Sequence, residues 1–549
     1  MKRLVVLWIS LTVMAAASAA RIDRNAALLK AQRFMPGKQL VAAGDAAVAR
    51  ARAPRKQEAF YVFNAANDGG FVIVSADDRA TAILGYSDHG HLDVEAMPEN
   101  LQWWLESYAS QIEALEAVPV ATAEQATMAA IAPMTTAQWN QGSPYYNRCP
   151  DGSYVDYDEM GYNANDRCLA GCVAVAMAQM MHYWQWPQSC GALDAYDANG
   201  HTIKALPATT FKWDQMKETY GRTETGAAVD AVAELMRYCG QAVQMKYSTE
   251  SSSASLHESE MITTFQYSPN CYWLMRDGYT ASRWAATIYD ELAARRPVLY
   301  RGDSETDGHI FIIDGYDGKG LFHINWGWGG RNNGYFALSA LSPEGHGTYQ
   351  YDQYAMIGLQ PAQEGVQLLP VVQCSVSESS DAYLHYRSES YDLEGSVVAR
   401  YNLEPAATHN MEIGWALYQG DTFVKVLSNK TVTVSAQLQC HFLNNPRITF
   451  GTDVPSGTYV LCQIYRFEGE TEWQLCHPYQ DNPYMLVLEL TDTYFYARLF
   501  DVVKDGITSV QGAGVKVQGA EIYNLAGQRV GSALKKGVFI KDGRKVLVK

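Results

Sequence analysis

Charge is scarce in this sequence. Asp, Glu, Lys and Arg together make 19% of 549 residues, and acidic residues outnumber basic ones by 59 to 43, a formal charge of −16. A chain with that balance is repelled by phosphate backbones and anionic lipid, so nucleic acid is excluded as a partner class. Cysteine is also sparse: ten, spread from Cys149 to Cys476, too few to build a fold of this size from disulfides. Cys168 could pair with Cys190 or Cys149, and the sequence selects neither. It has no CxxC pair, no His/Cys cluster at zinc spacing, no P-loop and no dinucleotide fingerprint, so no metal or cofactor is expected. After the N-terminus no stretch approaches the ~20 apolar residues that cross a bilayer, and no stable membrane insertion is expected.

What is present begins with Met1-Lys2-Arg3, the apolar run "LVVLWISLTVMAAA" and the small residues "ASAA" at 17–20. This reads as a secretory signal peptide over 1–20. Residues 58–86 hold β-rich runs around an Asn-Asp-Gly-Gly turn, and "PENLQWWLESYASQIEAL" (98–115) has helical periodicity. Together 21–115 make a small α+β unit, and the Ala/Thr/Pro-rich residues 116–138 read as a linker. From about 131 to 361 helical patterns come first ("GCVAVAMAQMMHYW", "AVDAVAELMRYCGQAV", "RWAATIYDELAARR"). Strand patterns follow ("HIFIIDGYD", "GLFHINWGWGG", "GYFALSAL", "YAMIGLQ"), which implies an α+β unit with an antiparallel sheet. Residues 362–505 alternate as strands without helical pattern and predict a β-sandwich. The last residues, 506–549, read as a separate small β-unit.

The stretch "RCLAGCVAVAMAQMMHYW" (167–184) places Gly171 and Cys172 at the start of a helix apolar on every face. Free N–H groups and the helix dipole favour a thiolate there, which is what a cysteine nucleophile needs. A buried core cysteine is the plainer alternative. A base must come from elsewhere, because His182 lies ten residues along the same helix, about 15 Å away. His309 begins an apolar strand. His323 sits mid-strand on the same face as Asn325. Each could equally be a satisfied sheet histidine. An Asn325 side chain could fix a histidine tautomer, with Trp326 excluding water. The amide of Gln141 could stabilise an oxyanion, or be an ordinary loop residue.

The order Gln, Cys on a helix, His on a strand, then Asn-Trp is that of papain-like cysteine peptidases. The strings "WNQGSPYYNRCP", "GCVAVAMAQMMHYW", "VQMKYSTESSSAS", "GHIFIIDGYDGKGLFHINWGWGG" and "YFALSAL" resemble the streptopain family of secreted bacterial cysteine peptidases. "YVFNAANDGGFVIVSADDRATAILGYS" is similar to that family's inhibitory pro-segment. The resemblance implies a papain-like two-subdomain catalytic unit over 131–361, preceded by a small α+β pro-domain with linker (21–130) that acts as an intramolecular inhibitor. It makes Cys172 the nucleophile, His309 the general base and acid, and Gln141 the oxyanion donor. Asn325 and Trp326 become the orienting segment, Ser253 and Gly308 substrate-backbone contacts, and His323 a structural residue. It also implies protein or peptide substrates, with a hydrophobic residue two positions before the scissile bond. The tail "IYNLAGQRV…KKGVFIKDGRKVLVK" resembles the sorting domain of proteins exported by type IX secretion, as in interpain-type relatives. That implies passage through the periplasm to the medium or the cell surface. The expectation is a secreted, self-processing cysteine endopeptidase. The competing readings are a surface adhesion protein with an inactive papain-like scaffold, and an acyl transferase to amines.

Overall fold

The computed structural model describes residues 21–43, 59–114, 128–152, 167–303, 308–340, 352–377, 383–501, 522–524, 537–541 and 544–548, apart from isolated positions within these spans. The signal-peptide expectation on 1–20 and most of the tail expectation lie outside the described residues.

Helix α1 (Arg24–Phe34) is capped by Asp23, whose carboxylate accepts the Ala26 N–H at 2.8 Å. It packs on strands β1 (Leu40–Ala42), β2 (Phe60–Ala65), β3 (Phe71–Ser75) and β4 (Ile83–Ser87), which form an antiparallel run. Helix α2 (Glu99–Ala114) follows and buries Trp103, Trp104 and Tyr108. The next unit contains α3 (Cys172–Trp184), α4 (Ala227–Ala242), β5 (Tyr272–Met275), α5 (Ala281–Ala293), β6 (Val298–Asp303), β7 (Gly308–Tyr316), β8 (Phe322–Asn325), β9 (Gly334–Phe336) and β10 (Asp352–Ile357). Helix α3 is buried from Val173 to His182, as its all-apolar surface requires.

Both units share one sheet, in the order β1-β2-β3-β4-β9-β8-β7-β6-β10-β5. The seam is the pairing of β4 with β9, Tyr86 opposite Tyr335 and Gly85 opposite Phe336. A Cβ on Gly85 would stand 2.5 Å from the Phe336 ring, so only glycine lets the two edges close. The expected 116–138 linker ends sooner than its composition suggests. Ile131 exchanges backbone bonds with Tyr316 at 2.8 Å, and the Met134 and Thr135 N–H groups bond Asp314. Residues 131–137 therefore run as a strap along β7, although Ala- and Thr-rich sequence carries no strand alternation there.

Alternation along β7 divides the sheet into two faces. Ile310 and Ile312 join the core that holds α3 and α4. Phe311 and Ile313 join the core that holds α2 and α5.

Residues from 371 form the predicted sandwich. Strands 371–376, 395–400, 439–443 and 477–478 make one sheet. Strands 409–419, 422–434, 457–467, 484–490 and 494–501 make the body of the other. Val372, Val397 and Ala399 of the first meet Met411, Ile413 and Tyr465 of the second. The tail departs from expectation. Strand 544–548 pairs in parallel with strand 383–386, which is itself paired to 494–501, so the described tail strands extend the sandwich sheet.

The sandwich grips the far side of the shared sheet. Arg283 of α5 forms an ion pair with Asp421 at 2.7 Å and lies over the Tyr418 ring. The ring nitrogens of His477 meet the hydroxyls of Tyr272 and Tyr279 at 2.8 and 2.6 Å. Burial pushes the His477 imidazole down from its ordinary 6.5 to about 4. Freed from this clamp, the ring binds a proton more readily, so the clamp stabilises fully above pH ~6.5 and that contribution fades as pH falls toward 4. Thermal unfolding at pH 7.5 and 4.5 should show wild type losing about 1–2 kcal/mol more than His477→Gln, less than the whole shift implies because part of the ring reaches solvent. Equal losses would remove His477 from the pH response.

Candidate active site

The site grows from the N-terminus of α3. Gly171 precedes the helix with φ +88°, and a Cβ there would meet the Met245 tip at 2.8 Å and the Ser252 carbonyl oxygen at 3.2 Å. Only glycine allows this entry. The segment leading in is bonded on two sides. Ala170 N–H donates to the Gln141 carbonyl at 3.0 Å, which sets Gln141 beside Cys172. Leu169 N–H donates to the Ser248 carbonyl, and Ser252 Oγ–H donates to the Leu169 carbonyl at 2.8 Å. Ser253 continues that loop, exchanging both backbone bonds with Lys246, and is exposed beside the same entry.

Cys172 is partly exposed. Cys168 is buried, and burial pushes its thiol up to about 11. Burial does the same to Cys149, up to about 12. None of the described cysteines is in a disulfide.

The opposing wall is the loop after β8. Its Gly329 N–H donates to the Trp139 carbonyl at 2.9 Å. Asn325 is buried, and its Nδ2 donates to the Ala137 carbonyl at 2.9 Å and to Thr135 Oγ1 and Gln179 Oε1 at 3.3 Å. Its Oδ1 accepts the Gly327 N–H at 3.2 Å. Trp326 is buried against Phe311 and Trp104.

Asn325 pairs with Ile312 and touches Gln179, which lies seven residues along α3 from Cys172. His309 lies directly opposite Gly302 on β6, and a Cβ on Gly302 would overlap the Trp103 ring. Directly opposed residues point to the same side, so His309 faces α2 while Asn325 faces α3. Gly308 begins β7 exposed, opposite Asp303.

The other histidines are occupied. His323 Nδ1 bonds buried Asp314 at 2.6 Å. His182 packs on Trp139 with ring centres 4.8 Å apart, and burial lowers its pKa. No grouping of His, Cys, Asp and Glu that could hold a metal occurs among the described residues.

Sequence reasoning missed three contributors. Gln179 is one of two polar residues in an otherwise apolar or small-residue stretch from Val173 to His182, a readable signal. Trp103 and Asn100 had none, since their partners are distant in sequence. Asn100 Nδ2 donates to the Trp326 carbonyl at 2.8 Å, and its Oδ1 accepts the Trp328 indole N–H at 3.0 Å.

This architecture has known relatives. The Peptidase C10 family matches residues 139–336, and the Spi protease inhibitor family matches residues 19–112. Streptopain of Streptococcus pyogenes is 33% identical over 324 residues, 55% of this chain and 80% of that protein. The chain belongs to the Peptidase C10 family. The thiol protease/hemagglutinin PrtT of Porphyromonas gingivalis is 32% identical over 56% of this chain, and the match spans only 38% of that protein. A Prevotella intermedia prointerpain A fragment is 28% identical, covering 57% of this chain and 99% of that one, with a TM-score of 0.45. Family membership makes the central unit a papain-like cysteine peptidase and the N-terminal unit an inhibitor-type prodomain. The sandwich and tail lie outside both family matches.

The helix entry is testable. Gly171→Ala forces a Cβ into a positive-φ position and against Met245, and should cost about 1–3 kcal/mol of stability. It should also slow iodoacetamide labelling of Cys172 several-fold. Unchanged labelling and melting would show that the setting of Cys172 does not depend on this residue.

Proposed function

We propose that this chain is a secreted cysteine endopeptidase made as a latent, self-processing precursor. Cys172 attacks a peptide carbonyl as thiolate. The Gln141 amide and the Cys172 N–H hold the oxyanion, His309 protonates the leaving amine, and water hydrolyses the acyl-enzyme. Ser253 and Gly308 flank the cleft as backbone contacts for the substrate. Asn325 and Trp326 orient and shield the histidine once it faces Cys172.

The observation that supports this reading is the Peptidase C10 match over residues 139–336, which hold Cys172 and His309, with a prodomain tryptophan, Trp103, packed on Gly302, the residue paired with His309. Latency then has a physical cause. Trp103 on Gly302 keeps the end of the β6–β7 hairpin on the α2 face, and Asn100 pins the loop that must support the histidine. Departure of α2 empties that face and lets the ring turn to the thiolate. The cut falls before residue 128, because Ala129 already accepts the Tyr289 hydroxyl and 131–137 belong to the mature sheet.

Export follows from the N-terminal signal peptide and the sorting-domain likeness of 506–549, and the type IX machinery is the partner this implies. No described helix is long and apolar enough to cross a membrane.

Intact-mass analysis under a thiol reductant tests the core of the reading. Wild type should shed its N-terminal unit by cleavage between 115 and 127, Cys172→Ala should stay full length, and Cys168→Ser should process normally. Normal maturation of isolated Cys172→Ala would sink the nucleophile assignment. Asn100→Ala and Trp103→Ala should shorten the latent phase, and each variant prodomain added in trans should inhibit mature enzyme about tenfold more weakly or worse, since both lose buried contacts. Unaltered inhibition would place latency elsewhere.

A further inference from the structure

Helix α3 buries one amide where its neighbours are alkyl. Gln179 is 1% exposed, two turns below Cys172 on the same side of the helix. Its Oε1 accepts two donors, the Trp139 backbone N–H at 3.1 Å and Asn325 Nδ2 at 3.3 Å. Its Nε2 is buried with no hydrogen-bond partner among the described residues, and a Cβ on Gly327 would lie 3.9 Å from it. Two donors converging on one oxygen fix which way the amide is turned. The side chain uses its acceptor fully and its donor not at all.

Consequences follow for both loops that frame Cys172. Trp139 is two residues before Gln141, so its bond to Gln179 anchors the segment that carries the oxyanion amide. For Asn325, the oxygens of Gln179, Thr135 and Ala137 all gather at Nδ2. The amide cannot flip without leaving that end unpaired. Its Oδ1 is thereby left at the other end, bonded to the Gly327 N–H with a lone pair to spare.

We infer that Gln179 is a positioning residue for the peptidase reaction. Through one oxygen it orients Asn325 so that Oδ1 can receive the His309 ring N–H, and it holds the Trp139–Gln141 segment against the nucleophile. The inference rests on the peptidase reading above. It requires the acceptor and not the donor.

The test uses mature enzyme from the full chain. Gln179→Met keeps the volume and removes the acceptor. Gln179→Glu keeps an acceptor oxygen, ionised or not, and removes only the donor that has no partner. Gln179→Met should lower kcat about 10- to 100-fold, as a small misplacement of reacting groups does, with KM within about threefold. Its pH–rate profile should shift on the alkaline side, where protonated His309 is lost, because His309 loses its oriented partner. Gln179→Glu should recover kcat to within about fivefold of wild type. Folded Gln179→Met with wild-type kcat and pH profile overturns the inference, as does folded Gln179→Glu that is as slow as Gln179→Met. If the Met variant does not fold, Gln179→Glu decides: a folded protein with more than about 100-fold lower kcat overturns it. Wild type in the same series must turn over peptide and take up one equivalent of epoxide inhibitor at Cys172. Failure there overturns the peptidase reading and this inference together, whereas active wild type beside an equally active Met variant overturns this inference alone.

Discussion

A helix that is apolar on every face exists only if other backbone closes around it, and α3 is enclosed from its first turn. Enclosure brings three irregular segments together: 138–142, 168–171 and 325–330. Irregular backbone carries N–H and C=O groups that no ladder satisfies, and each must find a partner once buried. The Gln141 carbonyl takes Ala170, Ser252 caps Leu169, Trp139 takes Gly329, and the Asn325 and Gln179 amides collect the remainder. The polar groups gathered around the start of α3 are thus the ones that burial of the helix demands. The glycines at 171, 327 and 329 follow from the same crowding, since each has positive φ and close neighbours.

The pleat of β7 adds a second constraint. A strand presents alternate residues to opposite sides, so this one strand serves two cores at once. Ile310 and Ile312 support α3, Phe311 and Ile313 support α2, and past the register shift at Asp314 Tyr316 joins the α2 side as well. His309 occupies an odd position near the start of the strand. The prodomain fills the odd face with indole rings, which are rigid and bury large apolar area, one of them against Gly302 opposite His309.

How much of this could be read from the amino acids differs by element. Helix α3, β7 and the prodomain strands announce themselves, because apolar periodicity and Gly-rich turns are local properties. The place of Cys172 at the start of α3 was legible for the same reason, because Gly171 marks the break between loop and helix. The strap 131–137 was not, since Ala and Thr residues take their extended form from Asp314 and Tyr316, nearly two hundred positions away. Strand β5 escaped notice within a polar stretch and gains its place only by pairing with β10. The face on which His309 lies was also hidden. It follows from its register with Gly302 and from Trp103, and neither relation is local.

The β5 edge and the β4–β9 seam of the shared sheet are held unequally. At the β5 edge the sandwich is held by Arg283, by the His477 clamp and by Asn402, which donates to the carbonyls of Pro269 and Cys271. At the seam the prodomain contributes a ladder of only two residue pairs. Separating two strands over so short a ladder gives up few backbone bonds, each worth about 1 kcal/mol net. The prodomain is therefore held mainly by the aromatic face of α2 and by Asn100. Those same contacts reach Gly302, the partner of His309 in the sheet, and the loop that carries Trp326 and Trp328, so the prodomain's grip bears directly on the residues around the candidate site.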